Sequence, residues 1–120
     1  MKKIQIIAPA YNESENLKKF VEEYKKLKIN NIDLKLLIVD DGSLDDSETI
    51  IENLIKSNND ISSIHLSKNF GKEIAMTSAI HELNEDDYDA LIFMDCDLQH
   101  PFKVVNQLVQ EWLAGEFLVM

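Results

Sequence analysis

Four short apolar runs alternate along the chain with four stretches in which apolar residues recur at every third or fourth position. The runs are Ile4–Ala8, Leu34–Val39, Ile61–Leu66 and Ala90–Met94, each of strand length, and Leu34–Val39 is nearly continuous, as in strands buried on both faces. The first helical stretch carries Leu17, Phe20, Val21, Tyr24 and Leu27, with Asn12 in the N-cap position and Glu15 three residues on as its capping partner. The second follows Asp40-Asp41-Gly42-Ser43, with Ser43 as N-cap, Asp45 and Asp46 favouring the helix dipole, and Ile50, Ile51, Leu54 and Ile55 inward. The third turns Met76, Ala79, Ile80 and Leu83 inward. The fourth has Pro101 in its first turn and buries Val104, Val105, Leu108 and Trp112. A βαβαβαβα order predicts an α/β fold, a Rossmann-like parallel sheet with helices on both faces.

Such sheets bind ligands beyond the carboxyl ends of their strands. The polar segments of this chain fall there: Pro9-Ala10-Tyr11-Asn12-Glu13, Asp40-Asp41-Gly42-Ser43, Ser67–Glu73 and Asp95-Cys96-Asp97-Leu98-Gln99 each follow a strand. If the fourth strand stays extended, Asp95 and Asp97 point to one side, since side chains repeat every second residue. Two hard oxygen donors on one side suit Mg²⁺ or Mn²⁺. Cys96, facing the other way, reads as a small core residue. At least one carboxylate of the Asp40-Asp41 pair is expected in the cleft, where it would accept from a ribose hydroxyl or a base N–H. Tyr11, beside Pro9 on a short loop, is placed to pack against a base.

Composition narrows the classes. With 120 residues, 45 % of them hydrophobic, the chain suffices for one compact domain. A net charge of −10 argues against nucleic acid and against an anionic membrane surface. The lysines of the first helix read as its solvated face. A single cysteine leaves no disulfide framework and fits a reducing compartment. No run approaches the roughly 18 apolar residues of a spanning helix. Neither G-x-G-x-x-G nor G-x-x-x-x-G-K-[ST] occurs, which counts against dinucleotide and P-loop sites. His65, His81 and His100 share no metal-ligand spacing and read as surface or cap residues, His100 alone standing near enough to the rim to stay a candidate, and Glu85-Asp86-Asp87 reads as an exposed acidic loop.

In order along the chain stand Ala8-Pro9-Ala10-Tyr11-Asn12-Glu13-Ser14-Glu15-Asn16-Leu17, Val39-Asp40-Asp41-Gly42-Ser43, Asn69-Phe70-Gly71-Lys72-Glu73 and Met94-Asp95-Cys96-Asp97-Leu98-Gln99. Together they resemble the amino-terminal half of a family 2 glycosyltransferase. Within that family the resemblance is to the dolichol-phosphate mannose synthase and bacterial polyprenyl-phosphate glycosyltransferase branch. It implies a GT-A nucleotide-diphospho-sugar transferase fold and inverting transfer. It also implies that Pro9, Tyr11, Glu13, Asp40 and Asp41 line the nucleotide-sugar pocket, Asp41 contacting base or ribose. Lys68 would reach the nucleotide or its phosphates, with Lys72 a weaker candidate. Asp95 and Asp97, with Gln99, would hold Mg²⁺ or Mn²⁺ against the diphosphate.

The partners implied are a UDP- or GDP-sugar donor and a polyprenyl phosphate or saccharide acceptor, with a homo-oligomer left open. Residues 1–120 are then expected to be the nucleotide-sugar-binding part of a longer transferase, inactive without its acceptor half. The full-length protein is expected in the cytoplasm or on the cytoplasmic face of a membrane, which it would touch only through a carboxyl-terminal part. His100-Pro101-Phe102-Lys103 and Ser47 depart from the family pattern, away from the implied chemistry. Two other classes compete: a nucleotidyltransferase or sugar-phosphate pyrophosphorylase, and a non-catalytic α/β binding module. The first would show a Gly- and Arg-rich loop after the first strand, and Pro9–Glu13 is not one.

Overall fold

The computed structural model describes residues 1–97 and 102–114. The expected alternation is present: β1 (Lys2–Ala10), α1 (Leu17–Lys26), β2 (Ile32–Asp40), α2 (Ser47–Lys56), β3 (Ile61–His65), α3 (Lys72–Glu82), β4 (Ala90–Phe93) and α4 (Phe102–Leu113). Glu85–Asp87 adds one exposed 3₁₀ turn. The strands form a parallel sheet in the order β3-β2-β1-β4. The chain steps outward from β1 to β2 to β3, then returns to the other side of β1. The reversal opens a crevice between the ends of β1 and β4, where sheets of this kind bind ligands. No helix among the described residues is long and apolar enough to cross a membrane.

The two sheet faces divide by strand parity. Ile4, Ile6 and Ala8 of β1, Leu36 and Ile38 of β2, Ile61 of β3 and Ile92 of β4 face one way, into a core shared with α1, α2 and α4. Its centre is aromatic: the rings of Phe20 and Phe102 lie 5.1 Å apart, and Tyr24 and Phe102 6.2 Å apart. Tyr24 also donates its hydroxyl to Asp60 (2.9 Å), and burial pushes its pKa up. The opposite face carries Ile7, Leu37 and Val39 against Ala75 and Ala79 of α3. That second layer is thinner, because one helix covers it.

The helices depart from expectation in four places. Asn12 does not cap α1, which begins at Leu17 after Asn16; its backbone takes φ 53° and its side chain reaches the second loop instead. Ser43 does not cap α2, whose N-cap is Asp46; the Ser43 hydroxyl accepts from Asn12 N–H. In both cases an inter-loop donor wins the group that a local cap would have used. On α3 the buried residues are Ala75 and Ala79, an i, i+4 pair, while Ile80 is 42 % exposed. Small side chains let the helix sit close to the sheet, so the rotation that buries them turns Ile80 out. On α4 Phe102, Val105 and Val109 are buried, Trp112 packs partly against them, and Val104 is exposed, because the aromatic centre draws Phe102 in. Pro101 lies outside the described residues.

Candidate functional site

The carboxyl ends of the four strands are tied to one another in sequence. Between the first and second loops, Asn12 N–H donates to Ser43 Oγ (3.0 Å), Glu13 N–H to Ser47 Oγ (3.0 Å) and Ser14 N–H to Asp45 (3.2 Å). In return Leu44 N–H donates to Asn12 Oδ1 (2.8 Å) and Asp41 N–H to the Ala10 carbonyl (2.8 Å). Burial pushes the Asp45 carboxyl up, but hydrogen bonds from Ser47 and Ser14 outweigh it and hold the pKa at about 2.

The second and third loops meet through Asp41 and Gly42. Asp41 is 4 % exposed, and its two oxygens accept the N–H groups of Phe70 (2.9 Å) and Gly71 (3.0 Å). Gly42 has φ +67°, and a Cβ there would run into the backbone of Lys68 and Asn69, 2.5 Å from the Asn69 nitrogen. Only glycine satisfies both conditions. The third loop is tied to the fourth by an ion pair, Lys72 Nζ to Asp95 Oδ1 at 2.7 Å.

A cleft of about 250 Å³ opens on this rim, lined among others by Tyr11, Asp40, Ser43, Glu48, Lys68 and Asn69. Tyr11 is 41 % exposed, leaving a ring face accessible. The Lys68 ammonium lies 5.1 Å from the centroid of the Phe70 ring, a cation–π contact that keeps it at the cleft wall. Pro9 is half-buried at the end of β1, paired in register with Val39. Two larger depressions, of 610 and 400 Å³, lie around Met1, Lys28 and Asn31 at the start of the strands, away from these side chains.

At β4 the strand ends at Phe93, Met94 N–H still donates to the Ile7 carbonyl (3.0 Å), and Cys96 and Asp97 form a turn. Burial nevertheless keeps alternating: Ile92, Met94 and Cys96 enter the aromatic core, whereas Asp95 and Asp97 are half-exposed. Cys96 is the small core residue expected. Burial pushes its thiol pKa up, and the charges of Glu13, Asp95 and Asp97 push the same way, so all three carboxylates lie within electrostatic reach of one sulfur. Glu13 itself accepts from Asn16 Nδ2 (2.8 Å). Asp95 already holds a cationic group, and its neighbours are oxygen acids, a donor chemistry that fits Mg²⁺ or Mn²⁺. Gln99, the third expected ligand, and His100 lie outside the described residues.

His65, expected as a surface or cap residue, is instead a bridging group. Its Nδ1 faces Asp40 Oδ2 (3.1 Å) and its Nε2 faces Glu52 on α2, with Ser63 alongside. Burial pulls the imidazole pKa down, but Asp40 and Glu52 outweigh it and hold the pKa above its ordinary value. Asp40, only 2 % exposed, is thereby fixed twice, its other oxygen accepting Ser43 N–H (3.0 Å). Asp40, Glu48 and His65 each bring one ligand atom within 4.8 Å of the others. With both ring nitrogens directed at carboxylates, however, the imidazole is engaged in hydrogen bonds and offers no free ring nitrogen to a metal. Its signal was present but dispersed: Ser63 and His65 alternate on one strand face, while Glu48 and Glu52 stand four apart on a helix.

A parallel α/β sheet whose strand ends gather a tyrosine, buried aspartates, two lysines and an acidic pair has the ligand-binding rim of an open α/β fold. The chain belongs to glycosyl transferase family 2, whose family model matches residues 5–120. It is 34 % identical over 121 residues to a prophage bactoprenol glucosyl transferase homolog of Escherichia coli, covering 98 % of this chain and 38 % of the relative. It is 33 % identical over 109 residues to an undecaprenyl-phosphate 4-deoxy-4-formamido-L-arabinose transferase of Proteus mirabilis, covering 89 % of this chain and 32 % of the relative. The chain thus spans about a third of the length of these relatives.

Among solved structures, the mannosyltransferase PcManGT from Pyrobaculum calidifontis, in complex with GDP-Man and Mn²⁺, superposes with TM-score 0.73 at 18 % identity, over 92 % of this chain and 32 % of its own. S. aureus TarS in complex with UDP-GlcNAc gives TM-score 0.69 at 20 % identity, over 92 % of this chain and 32 % of its own. At those identities the likeness is one of fold, the GT-A fold.

Proposed function

We propose that residues 1–120 are the donor-binding part of an inverting glycosyltransferase that takes a sugar from a UDP- or GDP-sugar and transfers it to a polyprenyl phosphate. The observation that carries this reading is the chained rim, in which the loops lining a cleft beside Tyr11 and Lys68 are linked, through the Asp41 hydrogen bonds and the Lys72 ion pair, to Asp95. In this reading Tyr11 packs against the base with Pro9 and Glu13 lining the nucleotide pocket beside it, while Asp40 and Asp41, buried and hydrogen-bonded within the protein, form the pocket floor and fix the loops on which base and ribose rest. Lys68 answers the phosphates. Asp95 and Asp97, with Gln99, hold Mg²⁺ or Mn²⁺. That cation, when bound, offsets the negative charge growing on the departing diphosphate.

Transfer is one displacement: the bond from the anomeric carbon to the diphosphate oxygen breaks as the acceptor oxygen bonds from the opposite face, and the diphosphate keeps the electron pair. A phosphate acceptor is already ionised at neutral pH, so the reaction asks no general base of these residues. The names of the relatives, which transfer to bactoprenol and undecaprenyl phosphate, support that acceptor over a saccharide hydroxyl.

Thermal unfolding with Mn²⁺ and either UDP or GDP tests the donor site. A nucleotide at about 100 times its Kd stabilises by about 2.7 kcal/mol, which raises Tm by several degrees. Inorganic phosphate is expected to give no shift, and Asp95→Asn to remove the metal-dependent part. If neither nucleotide raises Tm of the folded protein, the donor-site reading is wrong.

A further inference from the structure

The Lys72–Asp95 pair links two parts of the rim in a way that the donor-site reading leaves unused. Lys72 is the first residue of α3, directly after Gly71, whose N–H is held by the buried Asp41. The base of the lysine is therefore anchored to the second loop, while its ammonium reaches the fourth and contacts Asp95 Oδ1 at 2.7 Å. Gly71 has φ +99° and nothing within 4 Å of a Cβ position, so the approach to the helix is open. The lysine side chain is 56 % exposed and the aspartate side chain 28 %, so water and ions reach the pair. A carboxylate oxygen 2.7 Å from an ammonium cannot also give its full charge to a divalent ion; the two cations compete for it.

We propose that Lys72 is an exchangeable counter-ion of Asp95: its ammonium holds the oxygen that a divalent cation takes, and it transfers to the diphosphate that arrives with that cation. This rests on the donor-site reading and adds an order to it. Free metal binds weakly because it must displace Lys72. Metal and nucleoside diphosphate together bind well, because the displaced ammonium gains an anionic partner. An exposed pair contributes modestly, so the effects are fold-changes of a few units rather than orders of magnitude.

The test is a titration of the protein with Mn²⁺, followed by the loss of the free-ion EPR signal, without and with GDP or UDP. Lys72→Met keeps the aliphatic stem and removes the charge; Lys72→Arg keeps the charge; Asp95→Asn removes the ligand. Without nucleotide, Lys72→Met is expected to bind Mn²⁺ about fivefold more tightly than the parent, with Lys72→Arg close to the parent. With saturating nucleotide the order reverses, and Lys72→Met binds the metal–nucleotide pair about fivefold more weakly. Equal or weaker binding of Mn²⁺ alone by Lys72→Met, while Asp95→Asn still abolishes it, overturns the counter-ion role and leaves the donor site standing. An unchanged metal–nucleotide affinity in Lys72→Met overturns the transfer to the diphosphate. If Asp95→Asn binds Mn²⁺ like the parent, the metal site itself is wrong and the proposal falls with it. Circular dichroism of each variant separates these outcomes from misfolding.

Discussion

The two ends of the rim are held by different kinds of force. Around β1, β2 and β3 the loops are stitched by backbone hydrogen bonds to Ser43, Ser47, Asp45 and Asn12, by the double acceptance of Asp41, and by a glycine contact that admits no side chain. At β4 Asp95 is linked to the neighbouring loop by an ion pair between two solvent-reached side chains. The first arrangement is short-ranged, directional and insensitive to salt. The second is screened by ions and open to exchange. On the proposed donor-site reading, the first would be a nucleotide wall built in advance and the second a metal corner held by replaceable charge.

The largest way to break that contrast is at Gly42. Gly42→Ala must adopt a left-handed backbone, at about 1–2 kcal/mol, and push its methyl into the Lys68–Asn69 backbone, at about 1–3 kcal/mol. We expect a loss of about 3 kcal/mol in urea unfolding, with loss of nucleotide-induced stabilisation even where the fold survives. A loss under about 0.5 kcal/mol would mean that the second and third loops do not depend on this contact.

Asp41→Asn comes next. The amide keeps the shape but turns a donor toward one of the two N–H groups of Phe70 and Gly71, at about 2 kcal/mol. Amide hydrogen exchange of Phe70 and Gly71 is the direct measurement, and both are expected to lose protection together. Lys72→Met should leave that protection unchanged, which sharpens the distinction between the stitched and the exchangeable ends.

The smallest effect is a pH dependence at His65. Its folded pKa is raised above the ordinary 6.5, so its pairing with Asp40 and Glu52 contributes fully below that value and is lost as pH rises through the folded pKa. The stability difference between the parent and His65→Gln should be largest below about pH 6.5 and fade as pH rises above it. A difference that grows with pH would show that the imidazole is held neutral.

Much of this was legible in the residues. The buried alternation through Ile92, Met94 and Cys96 runs past the end of β4, which is why the acidic pair stands clear of the core although the backbone has already turned. The four strands and the inward residues of α1 and α2 follow from periodicity alone. The caps of α1 and α2 were misread because Asn12 and Ser43 carry genuine capping chemistry, and no local rule says that a partner 31 or 32 residues away outcompetes it. On α3, Ala79 lies inward as expected, whereas Ala75 carries too weak an apolar signal to outrank Ile80, although its small size is what the sheet selects.

What the sequence determined by itself was the α/β alternation, the gathering of Tyr11, Asp41, Lys68 and Asp95 at strand ends, and the family pattern they carry. These are properties of nearest neighbours and of spacing along one element. Tertiary structure alone decided that Asp41 would clamp Phe70 and Gly71 across 29 and 30 residues, that His65 would brace Asp40 across 25, and that Lys72 would find Asp95. Such pairings depend on strand order and register, which bring distant side chains within hydrogen-bond reach only after the sheet has formed.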